Sequence, residues 1–201
     1  KIPGEHNFRN AVMAAKVAEA LNCPKEIIAE TAVNFTGLEH RLELARKTSC
    51  DTGYENQNKD SNSILFYNDS ASTNPQTTIA AIQSFKEPII LIAGGKDKGL
   101  NYQPLAQTIK KSGRVKTVIL FGENKNKIKR QLAISNQKLE IKLVKDLKSA
   151  VRLAYKTSKN LITQSPNNSI TILFSPASAS FDMFKDYSDR GRQFKKIVKS
   201  L

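Results

Sequence analysis

Four strand-length stretches rich in apolar residues, Pro88 to Ala93, Val115 to Phe121, Leu139 to Val144 and Ile170 to Phe174, constrain this chain more than any other feature. Each has the length of one strand, and stretches of helical periodicity separate them. An unbroken apolar strand is buried on both faces, which is the habit of parallel sheets covered by helices on both sides. Helices are predicted over 75–85, 102–112, 123–135 and 146–159, with two more at 179–186 and 188–200. Strands at 42–47 and 64–67 come earlier, separated by a polar insert, 51–63, predicted to be a hairpin loop. The expected fold class is α/β: a Rossmann-like, mainly parallel sheet with helices on both faces.

The first part of the chain has a different period. Residues 7–21 are Ala-rich, with Val12, Ala15, Val17, Ala18 and Leu21 at helical spacing. Pro24 suits the first turn of a second helix that runs to about Thr31. Residues 35–41 then read as a linker. The organisation is therefore helices over 1–34, a linker or hinge over 35–41, and the α/β part over 42–201. With neither an initiator Met nor a signal-peptide pattern at Lys1, the expectation is a chain that begins inside a longer protein.

The formal net charge of +14 raises the question of nucleic acid. The lysines and arginines are scattered along helix-like stretches such as 125–130 and 195–199, with no Trp and no repeated basic-aromatic motif. Solvated helix faces account for them, and no nucleic-acid partner is expected. No apolar run approaches the roughly 20 residues that span a bilayer, so neither is a membrane. Cys23 and Cys50 lack CxxC spacing, and His6 and His40 are isolated. The reading is a reduced, cytoplasmic setting with no metal site.

Chemistry is expected in four polar stretches, three of them at strand ends, where open α/β sheets bind ligands. Tyr67 to Asn74 offers a carboxylate, hydroxyls and amides ahead of a helix, where an anion is favoured; a plain N-cap explains Thr73 or Asn74 singly. Gly94 to Gly99 allows close backbone approach and supplies lysines, but has neither P-loop nor GxGxxG spacing, and a simple turn is the alternative. Phe174 to Asp182 places small hydroxyl residues before a predicted helix, as an anion nest or a well-capped start. Asn7 and Asn10 share one helix face, as joint ligand contacts or as capping residues. Without a GxSxG elbow or a histidine at a strand end, a Ser-His-Asp hydrolase is excluded.

Taken in order, these stretches resemble the Mur ligases. The resemblance runs through His6-Asn7 to Asn10, Phe35 to Leu38, His40-Arg41, Asn68-Asp69-Ser70 with Thr73-Asn74, Gly94 to Gly99, Ser175 to Asp182, and Arg190-Gly191 with Phe194. Asn68-Asp69-Ser70, where other branches and folylpolyglutamate synthases carry a DYAH-type sequence, is similar to the D-glutamate-adding branch.

The resemblance implies ATP-dependent amide synthesis. The carboxylate of UDP-N-acetylmuramoyl-L-alanine would be phosphorylated, and the amine of D-glutamate would attack the acyl phosphate. It implies ATP contacts for Asn7, Asn10, Arg41 and Asp69, and D-glutamate contacts for Thr73, Lys98, Ser180, Phe181 (through its N–H) and Tyr187. It implies that residues 1–34 are the last helices of a central ATP-binding domain, whose P-loop and Mg2+ ligands would lie outside this chain. The fragment by itself would be inactive. Ala71 stands where the family usually has Lys, with Lys96 as a possible substitute. Another amide ligase of this superfamily and a non-catalytic nucleotide- or RNA-binding module are the alternatives.

Overall fold

In a computed structural model of the chain, the described residues are 2–49, 62–135, 139–164 and 169–201. Most of the predicted hairpin insert, 51–63, lies outside them. Two helices come first, α1 (Glu5–Ala20) and α2 (Lys25–Asn34). Asn22, in the left-handed region at φ 61°, ends α1: the N–H of Cys23 reaches back to the Ala18 carbonyl at 3.0 Å and satisfies an orphan acceptor of the last turn. Pro24 then opens α2. Neither helix buries a residue, and Phe8, Met13, Val17, Leu21, Ile27 and Val33 are all exposed.

The rest is built on a six-stranded sheet. Its strands are β1 (Glu43–Ser49), β2 (Ser63–Asn68), β3 (Ile89–Ala93), β4 (Val115–Leu120), β5 (Glu140–Leu143) and β6 (Ile170–Phe174). Their spatial order is β1-β2-β6-β3-β4-β5. Only the edge strand β1 is antiparallel; the other pairings are parallel. The last strand, β6, thus sits in the middle, between β2 and β3.

Alternation along the central strands feeds two cores. Ile89, Leu91 and Ala93 of β3 pack with α3 (Pro75–Gln83), α4 (Gln103–Ser112) and α5 (Lys125–Ser135) on one face. Ile90 and Ile92 join Ile170, Ile172 and Phe174 against α6 (Leu147–Gln164) and α7 (Tyr187–Lys199) on the other. All five residues of β3, and all five of β6, are buried. Burying each of the large aliphatic side chains stabilises the fold by roughly 1.5–3 kcal/mol. That is why these runs have no polar alternation, and Ile90→Ala or Ile92→Ala costs about 2–5 kcal/mol.

Local chemistry sets the helix ends. The Asn74 side chain accepts from the Thr77 N–H at 3.1 Å, with Pro75 in the first turn of α3. Asp186 caps α7 by accepting from the Asp189 N–H at 2.7 Å. The helix predicted over 179–186 does not form. Ala179 instead pairs in an antiparallel bridge with Lys96, and turns follow to Asp186. The hydroxyl-rich sequence suits both a capped helix and a turn, and the approach of the β3 loop decides for the turn.

Candidate active site

The carboxyl ends of β2, β6, β3 and β4 lie side by side, so the loops that follow them form one polar rim. Three hydrogen-bonded clasps tie these loops together, each built on a buried polar side chain.

Asp69 makes the first. Its N–H continues the β2–β6 ladder to the Phe174 carbonyl at 2.8 Å. Its carboxylate accepts from Ser72 Oγ at 2.5 Å, Ser175 Oγ at 2.7 Å and the Leu42 N–H at 3.2 Å. Burial pushes its pKa up to about 6, against the pull of those donors and of the Arg41 charge.

Arg190 makes the second and is fully buried on α7. Nε donates to Ser70 Oγ at 3.0 Å, Nη2 to the Ser70 carbonyl at 2.8 Å and Nη1 to the Ser178 carbonyl at 2.9 Å. The planar guanidinium thereby joins the loops after β2 and β6, a task suited to a rigid fork of donors. Burial lowers its pKa to about 10, so it stays charged at neutral pH.

Asn124 makes the third. Its Oδ1 accepts from the Gly95 N–H at 3.0 Å and its own N–H donates to the Gly95 carbonyl at 3.0 Å. Its Nδ2 donates to Tyr102 Oη at 2.7 Å and Ser178 Oγ at 2.8 Å. The loops after β3, β4 and β6 meet here backbone to backbone. A Cβ on Gly94, at φ 117°, would lie 2.0 Å from the Phe121 carbonyl, and one on Gly95, at φ 155°, 2.3 Å from that of Ala179. Only glycine fits either place.

The expected site residues divide between this interior and its surface. Asp69 and Ser180 are buried and Thr73 is half-buried. Lys98 is exposed, with its ammonium 5.4 Å from the centre of the Phe181 ring; Phe181 is 63% exposed. Tyr187 is exposed at the start of α7, its carbonyl accepting from Ser70 Oγ at 2.8 Å and its ring edge-on to His40. Arg41 is exposed, and its charge acts on both Asp69 and His6; the His6 pKa is lowered first by burial and then by Arg41. The start of α1 therefore stands near the Asp69 loop. Asn7 donates Nδ2 to the Pro3 carbonyl at 2.7 Å, and Asn10 is exposed on α1. Lys96, the candidate to stand in for a lysine at Ala71, is held 2.7 Å from Glu123.

Several residues that build the rim carry no local sequence signal of that role: Tyr102, Asn124 and Arg190 all fall within predicted helices. Gly122 after an apolar strand was the available signal for the β4 loop.

His40 is buried, with φ 65°, and its pKa is lowered by that burial. Asn68 Nδ2 lies 2.9 Å from its Nδ1, which assigns that nitrogen as acceptor and the proton to Nε2. Glu39, His40 and Glu43 are close enough to hold a cation. Their carboxylates are already engaged: Lys195 lies 2.5 Å from Glu39 and 2.9 Å from Glu43, and Glu43 Oε2 accepts from the His40 N–H and Asn68 Nδ2, each at 3.0 Å. This cluster is an ion-pair network joining the linker, β1, β2 and α7.

Comparison with known proteins gives this rim its context. Residues 55–164 match the family model described as Mur ligase, glutamate ligase domain. The chain belongs to the Mur ligase family. It is 40% identical over 201 residues to a protein of Caldanaerobacter subterraneus named UDP-N-acetylmuramoylalanine–D-glutamate ligase, covering all of this chain and 40% of that protein. A Clostridioides difficile protein of the same name is 36% identical over 200 residues, with 39% of it covered. The chain thus spans about two fifths of the length of these relatives. Among solved structures, UDP-N-acetylmuramate–alanine ligase of Thermotoga maritima superposes with a TM-score of 0.61 at 16% identity, over 99% of this chain and 39% of that one. Folylpolyglutamate synthase of Mycobacterium tuberculosis, solved with ADP and AMPPCP, gives 0.64 at 13% identity, over 96% and 41%. These two likenesses establish the Mur-type α/β fold. No helix among the described residues is long and apolar enough to cross a membrane.

Proposed function

We propose that this chain is the D-glutamate-binding part of an ATP-dependent ligase that joins D-glutamate to UDP-N-acetylmuramoyl-L-alanine in the cytoplasm. The observation that carries the reading is Lys98, an exposed cation 5.4 Å from the centre of the Phe181 ring, on loops that the three clasps hold in register. A dianionic amino acid needs such a cation together with neutral donors. The relatives' names support the same substrate.

In this reading Lys98 binds the distal carboxylate of D-glutamate. Ser180, the Phe181 N–H, Thr73 and Tyr187 orient the rest, so that its amine faces the activated carbonyl of the muramoyl-alanine. ATP, as second substrate, supplies the phosphoryl group that activates that carboxylate. Arg41, exposed and cationic, fits a polyphosphate. Asp69 already accepts three hydrogen bonds; a carboxylate has about four lone-pair sites, which leaves one acceptor position for a ribose hydroxyl. Asn7 and Asn10 would reach the nucleotide from α1. The Mg2+ that accompanies ATP would be held by residues outside this chain.

The exposed apolar residues of α1 and α2 fit the last helices of a central ATP-binding domain whose remainder would cover them, with 35–41 as the hinge and Gly37, at φ 100°, as its pivot. A second reading, another acceptor amino acid, is favoured by Ala71, which leaves this position without the family's cation.

The test uses full-length enzyme with UDP-N-acetylmuramoyl-L-alanine and ATP, with ADP release measured across a panel of acceptor amino acids. D-glutamate should be the preferred acceptor. Preference for a different amino acid would replace the first reading with the second.

A further inference from the structure

The cations around the rim are not equivalent. Lys96 is paired with Glu123 at 2.7 Å, and Lys127 with Asp97 at 2.8 Å. Lys125 donates to the Val144 carbonyl at 3.2 Å, and Arg190 is buried in its clasp. Lys98 differs from all of these: among the described residues its ammonium lies over the face of Phe181, 5.4 Å from the ring centre, and pairs with no carboxylate. The carboxylate next to it in sequence, Asp97, is held by Lys127 and by the Gly99 N–H at 2.9 Å. Phe181 itself is 63% exposed, so packing does not explain an aromatic ring there.

We infer that the Phe181 ring is a positioning group for Lys98, holding its ammonium in place without neutralising it, so that the cation is poised for the distal carboxylate of an acidic amino acid. This rests on the D-glutamate reading above.

The physical reason lies in the nature of the partner. A carboxylate in place of the ring would fix Lys98 equally well, but it would have to be displaced by the substrate's own carboxylate. An aromatic ring attracts a cation through its quadrupole and carries no net charge, so the field of Lys98 remains available. A free lysine side chain also has several rotatable bonds to immobilise on binding; a ring that already restricts them reduces that loss. Phe181 would then have two roles from one residue: its N–H binds the amino acid, and its ring aims the cation. Lys127 completes the device by drawing Asp97 away.

The test is a double-mutant cycle in the full-length enzyme, with Phe181→Leu, Lys98→Met and the double variant, alongside Phe181→Tyr. The acceptor is D-glutamate, or whichever amino acid the wild-type enzyme prefers in the panel above, so failure of the substrate assignment is seen before the cycle begins. Phe181→Leu should raise KM for the acceptor about two- to fivefold, with the effect on KM rather than kcat, from the size of an exposed cation–π contact. Phe181→Tyr, which keeps the ring, should retain the wild-type KM. In the Lys98→Met background, Phe181→Leu should add nothing. Additive effects in the cycle, or a Tyr variant as impaired as the Leu variant, would overturn the inference. A ligand-free readout comes from NMR of this 201-residue chain. The ε-methylene protons of Lys98 should lie upfield in the ring current and move downfield in Phe181→Leu; unshifted protons in the unmutated chain would also overturn it.

Discussion

The rim has an inner half and an outer half, and they are built on opposite principles. Asp69, Asn124 and Arg190 are buried, and each makes three or more hydrogen bonds within the protein. Lys98, Phe181, Tyr187 and Arg41 are exposed. The inner residues direct their polarity at the backbones and hydroxyls of neighbouring loops, while the outer ones hold theirs toward solvent. The lesson is that position and contact are largely separate tasks here, Asp69 being the anchor that also keeps an acceptor site for a proposed ligand. A buried group without a partner is costly, and the cations that await a ligand, Lys98 and Arg41, stand at the surface.

That division can be broken by experiment. The largest effect should come from Arg190→Ala, which leaves two buried carbonyls and a hydroxyl without their donor and opens a cavity. A loss of about 3–5 kcal/mol in denaturant unfolding is expected; a loss under about 1 kcal/mol would remove Arg190 from the inner half.

Asp69 gives a pH signature. Its folded pKa, about 6, lies above the ordinary value of 3.8. The folded state therefore holds the proton more tightly, and the contribution is fully present below 3.8 and lost as pH rises through 6. It amounts to about 3 kcal/mol across that window. Asp69→Asn should flatten this slope, seen as the difference between the two melting curves at pH 4 and pH 7; parallel pH dependence would contradict the buried carboxylate.

In the outer half, Lys98→Ala should leave the melting temperature unchanged and raise KM for D-glutamate roughly ten- to hundredfold in the full-length enzyme, as expected for a lost charge-assisted contact. A lowered melting temperature would place Lys98 among the anchors instead.

The smallest effect concerns α1. Met13→Ser and Val17→Ser should each change the stability of this chain by no more than about 0.5 kcal/mol, because both side chains are exposed in it. The same changes should cost clearly more in the full-length protein if another domain covers that face. Equal effects in both would argue for an uncovered helix.

How much of this was legible in the sequence depends on range. The apolar runs of β3, β4 and β6 declared a sheet buried on both faces, and the ordered loop motifs led to the Mur ligase family. Those are local signals: strand burial is written in period, and a turn is written in its glycines. Even the Lys98 loop could be marked from Gly94-Gly95 alone. The failures were all long-range. Residues 179–186 look like a helix until Lys96 pairs with Ala179. Asn124 looks like a helix start until its amide is found between Gly95, Tyr102 and Ser178.

By itself, then, the sequence determined the α/β class, the family and which loops carry polar groups, because burial and turn chemistry act between near neighbours in the chain. Only the tertiary structure decided which of those polar groups became anchors and which remained outward. That choice depends on β6 entering the sheet between β2 and β3. The insertion brings Ser175 and Ser178 against Asp69 and Asn124, across 106 and 54 residues of chain. It leaves Lys98 at the rim with a ring for company and, among the described residues, no ion pair.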